Sequence, residues 1–349
     1  MATETEKQVE QFPAVVSAPR ASFWQRTRDS RAAYLYLLPA GIIMTLISFW
    51  PMIFQVYLSF TDYGVKNLRV GSPAPNFVGL DNYINVITGD AIKPYIPTFD
   101  FIRILLFDLW WALSNVVIHI VLGVLIAVLL NVEGLWGKRI YRAVYILPVV
   151  IPPLIVGTVW KNIFDTTYGP INGLLKVVFG IFGIPGTTFD IPWLENSAPD
   201  IGPLPLAYFA LLTANVWLGW PLNSVVATGA LQSIPKDLYE AATVDGANGP
   251  QQFFNITVPM LRTAMIPFAV YGFITTFNLF HLSYFMSQGG PFGKTELLVT
   301  QVFKIVNTSN TNYGIYGVAA AFSIYMFFIL LIISLITNRI TKATAQADS

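Results

Sequence analysis

The most informative pattern along this chain is where charge is missing. Asp, Glu, Lys and Arg are absent from residues 32–61, 109–132, 143–160, 201–235, 263–293 and 305–338. Each of these runs holds an apolar block, and a helix needs about 20 apolar residues to cross about 30 Å of hydrocarbon. The pattern predicts six transmembrane helices, over 34–59, 109–130, 143–162, 206–229, 261–283 and 316–338. The next apolar stretch, Val177 to Phe189, is shorter and is broken by Gly180, Gly183, Pro185 and Gly186. It reads as a loop or an interfacial helix. Trp110 and Trp111 open the second span and Trp160 ends the third, as expected of aromatics at the headgroup level.

Six spans put both termini on one side. With that side inside, the inner segments carry Lys7, Arg20, Arg26, Arg28, Arg31, Lys138, Arg139, Arg142, Lys236, Arg262, Arg339 and Lys342. The outer ones carry Lys66, Arg69, Lys93, Arg103, Lys161, Lys176, Lys294 and Lys304. Basic residues favour the cytoplasmic face, so both the N- and C-termini are expected to be cytoplasmic. Residues 1–31 are polar, lack an apolar h-region and do not read as a secretory signal. The tail 341–349 is polar and is expected to be unstructured.

Composition agrees. Only 11% of the 349 residues are charged and 54% are hydrophobic, whereas soluble domains carry about 25% charged residues. The fold class is an all-α membrane protein. A net charge of +1 gives no mark of a nucleic-acid binder, and the absence of cysteine excludes disulfides, thiolate metal sites and cysteine catalysis. The two histidines, His119 and His281, are too few for a metal site or proton relay. His119 reads as helix packing, with Asn115 one turn earlier as its partner. Arg103 and Asp108, at the mouth of the second span, read as an ion pair or as solvated charges.

The outer loops, near 60–108, 163–205 and 284–315, are too small for a catalytic domain but large enough for docking. One of them contains Gly289-Gly-Pro-Phe-Gly-Lys-Thr295, which leaves three residues rather than four before the Gly-Lys pair and so is no phosphate loop. The loop 230–260 is different. Pro235 suits a helix start, Asp237 and Glu240 lie near the positive end, and Gly246 suits a left-handed stop. A second short helix leads on to Pro259, which makes a two-part helical elbow.

In that elbow Glu240-Ala241-Ala242, Gly246, Ile256 and Val258-Pro259 stand in the register of a known signature, with Val258 in place of Leu. The chain therefore resembles the permease subunits of binding-protein-dependent ABC importers. Phe49-Trp50-Pro51, Leu58 to Asp62, Phe77 to Tyr83, Tyr145 to Pro148, Tyr168 to Asn172, Gly229 to Pro235 and Gly289-Gly290-Pro291 are similar to the carbohydrate branch, above all the maltose/maltodextrin (MalF-type) permeases. The resemblance covers about residues 32–340. The enterobacterial MalF form has further N-terminal spans and a large outer domain that this stretch does not match.

The resemblance implies a type I ABC importer permease fold without enzymatic activity or a cofactor of its own, since ATP and Mg would bind a partner ATPase. Glu240, Ala241, Ala242, Asp245, Gly246, Ile256 and Pro259 would couple the elbow to that ATPase. Asn215, Leu218 and Gly219 fall at sugar-contacting positions, with Gly219 leaving room for a sugar ring and Trp217 and Trp220 stacking on it or facing lipid. Val149, Pro153, Leu222, Gly272 and Thr276 replace more polar or aromatic groups of the maltose-type pattern, and Thr275 and Asn278 add polar groups. The implied partners are a second, MalG-like permease, a dimer of ATPases and an extracytoplasmic sugar-binding protein. The implied site is the bacterial or archaeal cytoplasmic membrane. Another solute, such as glycerol phosphate, and an ion-coupled carrier remain as alternatives.

Overall fold

The structure is a computed structural model that describes residues 31–132, 134–308 and 315–347. The N-terminal segment up to residue 30 lies outside the described residues. The chain divides into two units, residues 1–55 and 56–349. In the first unit the described residues belong to helix α1 (Arg31–Ser59), which carries Pro39 and a π-helical stretch at Thr45–Phe49. It is apolar on all sides, as a membrane helix is.

The second unit is built from helices α2 (Asp81–Thr88), α3 (Phe101–Asn131), α4 (Lys138–Val150), α5 (Pro153–Ile163) and α6 (Pro170–Gly180). There follow α7 (Leu206–Gln232), α8 (Lys236–Val244), α9 (Gly249–Ser287), α10 (Leu298–Thr308) and α11 (Tyr316–Ala347). A two-residue hairpin, β1 (Asp200–Ile201) with β2 (Leu204–Pro205), precedes α7. Before α2, Asp62 accepts from Lys66 Nζ and from the Asn76 amide. These contacts, the Lys66 hydrogen bond first, hold its carboxyl below its ordinary value.

Five of the described helices are long and apolar enough to cross a membrane: α1, α3, α7, α9 and α11. The third expected span, 143–162, is not one straight helix. It falls on α4 and α5, which meet at 97°. Pro148, Pro152 and Pro153 explain the bend, because each lacks the N–H a helix interior requires. The second span also differs. Asp100 caps α3 by accepting from the Arg103 N–H at 3.0 Å, so the helix starts well before Trp110. Its 31 residues span about 46 Å. The expected unstructured tail is helical as well, since α11 continues through 341–347.

Inside this early start lie the two charges expected at the mouth of the second span, and they do not pair. Asp108 is fully buried, and its Oδ2 accepts the Leu298 N–H at 2.9 Å, at the start of α10. Arg103 donates instead to the carbonyls of Gly293 and Thr98, at 3.0 and 3.1 Å. The loop from Gln288 to Leu297 is held by Lys294–Asp200 and Lys304–Glu296 ion pairs. Gly289 sits at φ +78°, where a Cβ would lie 2.1 Å from the Glu296 carboxylate. Lys294 and Thr295 of the apparent phosphate loop are thus spent on internal contacts.

The centre of the unit is the seam between α3 and α7. Positions four apart on each helix meet in turn: Asn115 with Asn215, His119 with Gly219, Gly123 with Asn223. Ala127 and Ala227 continue the series in one buried cluster with Leu231, Leu261 and Met265. The pairs ascend together, so the two helices run parallel. Small residues permit this approach, as is usual where lipid gives no hydrophobic drive to helix association. A Cβ at Gly123 would come within 2.5 Å of Asn223 Cβ. At one end of the seam the Tyr208 hydroxyl donates to Ser114 Oγ at 2.8 Å, and the Tyr208 ring meets Trp111 edge-on.

Candidate functional site

Two features stand out as sites, a cavity among the helices and the elbow beyond α7. The cavity holds about 260 Å³. Each wall owes its shape to a departure from a regular helix. The bend between α4 and α5 supplies Val149, Ile151 and Pro153. The stretch of α7 around Pro221 supplies Leu218, Gly219 and Leu222, and α9, with Pro267 inside it, supplies Phe268, Tyr271, Gly272, Thr275 and Thr276. Leu279 and His281 line it from beyond a break in α9 at Asn278. The wall is mainly apolar, and none of its residues is Asp, Glu, Lys or Arg.

Eight of the nine residues expected in a substrate pathway lie together on this wall: Asn215, Leu218, Gly219, Leu222, Val149, Pro153, Gly272 and Thr276. The ninth, Asn278, does not. It is exposed and donates to the Ile274 carbonyl, ending its own helix. Trp217 and Trp220 are also elsewhere, Trp217 against Trp160 and Trp220 against Tyr145. Thr275 donates back to the carbonyls of Tyr271 and Gly272.

The polar core of the wall is a network at the seam. Asn215 Nδ2 donates to Asn115 Oδ1 at 2.7 Å, and Asn115 Nδ2 donates to the Trp111 carbonyl at 2.8 Å. Asn115 therefore serves Asn215 and not His119. His119 Nε2 lies 3.0 Å from the backbone carbonyl of Asn215. Its imidazole sits where a Gly219 side chain would be, with Cε1 2.1 Å from an added Cβ. The ring that Gly219 admits is thus that of His119. Sequence reasoning gave this histidine a packing role and missed its place on the cavity. The available signal was that the chain has only two histidines, and both line this cavity.

The elbow forms as its residues direct. Pro235 is the residue before α8, Asp245 caps its C-terminal end, and Gly246 follows at φ +82°. Asn248 then caps the start of α9 in a reciprocal pair with Gln251, at 3.0 and 2.8 Å. Glu240, Ala241, Asp245, Gly246 and Pro259 are exposed, while Ala242 and Ile256 are half-buried. Ile256 and Tyr239 pack on the buried cluster of Ala127, Ala227 and Leu261. The Tyr239 hydroxyl lies 2.9 Å from Thr257 Oγ1 and ties α8 to the start of α9. Leu238, Val244 and Phe254 are exposed apolar side chains on the same element. A cavity of about 660 Å³ beside it is lined by Asn131, Lys138, Leu231, Tyr239 and Glu240, among others.

Membrane-length helices around a small uncharged cavity, with an exposed helical elbow at one end of two of them, define a membrane transport component. The family model described as "Binding-protein-dependent transport system inner membrane component" matches residues 119–346, and the chain belongs to that family. Among curated relatives it is 29% identical to the maltodextrin transport system permease protein MdxF of Bacillus subtilis (strain 168), over 92% of this chain and 71% of MdxF. It is 31% identical to the galactooligosaccharides transport system permease protein GanP of the same organism, over 89% of this chain and 70% of GanP. It is 30% identical to the maltose/maltodextrin transport system permease protein MalF of Vibrio vulnificus (strain YJ016), over 77% of this chain and 50% of MalF. The fold is shared with a chain of a bacterial ABC transporter involved in the import of the acidic polysaccharide alginate. There the TM-score is 0.71 at 19% identity, over 92% of this chain and 98% of that one.

Proposed function

We propose that this chain is one of two permease halves of an ATP-driven importer for a neutral oligosaccharide in a bacterial cytoplasmic membrane. The observation that carries the reading is the elbow: an exposed two-part helix, rooted by Ile256 and Tyr239 in the cluster that joins α3, α7 and α9. A rigid lever of this kind passes closure of an attached ATPase dimer into the helices that wall the cavity. Glu240 pairs with a basic residue of the ATPase, Ala241 and Ala242 permit close approach, and Leu238, Val244 and Phe254 cover an apolar contact. The α4–α5 pair counts as the sixth span, which leaves both termini cytoplasmic. A second permease half completes the pathway, and an extracytoplasmic binding protein delivers the sugar.

The substrate class rests on the cavity. Its lining carries amide, hydroxyl and imidazole groups but no charge, which suits hydroxyl-rich neutral solutes. Maltodextrin and galactooligosaccharide relatives point the same way. An anionic solute such as glycerol phosphate would need basic groups that this half does not supply. Ion-coupled transport would need a carboxylate on the pathway, and buried Asp108, whose Oδ2 accepts the Leu298 N–H, does not line this cavity. The test is purification of the tagged chain in mild detergent from its native cells. Recovery of an ATPase and a second permease is expected. A chain recovered alone that still transports without ATP would overturn the reading.

A further inference from the structure

We infer that His119 receives a hydroxyl hydrogen bond from the transported sugar, which makes it a specificity-determining residue of the pathway. This rests on the importer reading above. The side chain is 5% exposed, yet it lines the cavity. The Asn215 backbone oxygen can only accept, so the contact at 3.0 Å makes Nε2 the protonated nitrogen. In the neutral ring Nδ1 is then an acceptor, and no group among the described residues donates to it. A nine-tenths buried imidazole is thus fixed in one tautomer, with its lone pair left for what enters the cavity.

The surroundings are arranged around this ring. Gly219 is required by it, since a Cβ there would overlap Cε1, Nδ1 and Nε2 at 2.1–2.4 Å. Asn223 Nδ2 is spent on the Gly219 carbonyl at 3.0 Å, and the Asn215 amide on Asn115. One hydrogen of each of these amides is therefore held within the protein, whereas the ring keeps an acceptor. Sugar hydroxyls can donate, and a buried acceptor left unmet by a substrate that lacks the hydroxyl discriminates strongly between substrates.

The experiment uses the complete complex with its binding protein in proteoliposomes, with maltotriose and a galactotriose as probes. The binding protein governs capture, so the readout is sugar delivered per ATP hydrolysed, alongside the ATPase rate. His119→Phe keeps the ring volume and removes both nitrogens. Sugar per ATP is expected to fall about three- to tenfold, the range for one hydrogen bond, with the ATPase rate unchanged within about twofold. His119→Gln, which keeps a donor and an acceptor, restores most of the ratio. His119→Met serves as the same probe if the phenylalanine complex does not assemble. An unchanged ratio overturns the inference, and so does a parallel fall of transport and ATPase, which marks a purely structural role. If the wild-type complex moves neither sugar, the importer reading for these substrates fails, and the inference with it.

Discussion

The α3–α7 seam ends within a few residues of where the elbow begins, yet they are built on opposite principles. The seam is closed on itself. The paired residues from Asn115–Asn215 to Ala127–Ala227 are buried, save half-buried Gly219, and the glycines are fitted to a particular neighbour. The elbow is anchored at its root and open along its length, with Glu240, Val244 and Phe254 exposed. One region is complete within this polypeptide, and on the proposed reading the other is completed by a partner. Stability should therefore reside in the seam, whereas the elbow, on that reading, acts through what binds it.

This contrast can be broken in graded steps, read as the melting temperature of the purified protein. Gly219→Leu should be the most damaging, because the new side chain competes with the His119 ring. Overpacking costs about 1–3 kcal/mol and at times more, and the upper end is expected here. Adding His119→Ala to the same chain should recover part of that loss, as coupled neighbours do. Next comes Asn115→Leu, which strips the partner from Asn215 Nδ2. Interhelical polar contacts in membranes average about 0.6 kcal/mol and reach about 1.7, so a loss near 1 kcal/mol is expected. If Asn115→Leu with Asn215→Leu melts lower than the single variant, the pair is not what holds the seam. The smallest effect belongs to Glu240→Lys. An exposed change of this kind shifts stability within about 0.5 kcal/mol, while ATP-dependent uptake should be lost. Intact uptake in that variant would remove the elbow's assigned role.

The helices were legible from the sequence because lipid imposes a simple rule on charge, and the charge-free runs obey it. Their ends were less legible. Arg103 and Asp108 looked like the end of the hydrocarbon, but Asp108 is spent on the Leu298 N–H and Arg103 on two carbonyls. Partners that include Gly293 and Leu298, each 190 residues away, made these charges compatible with a longer helix. The bend between α4 and α5 was written in Pro152 and Pro153, yet a count of apolar residues ignores proline's missing N–H. On the cavity, resemblance to relatives brought eight positions together. It passed over His119, whose partner was sought one turn away on its own helix. That partner, Asn215, lies on α7, and spacing along a single helix holds no information about such a contact.

The fit of His119 into the space left by Gly219 also constrains how this protein can diverge. Neither residue can be exchanged alone without a collision or a gap. The two positions, exactly one hundred apart in sequence, should drift through evolution as a single character. Lineages that gain a larger residue at the second are expected to have already lost the ring at the first.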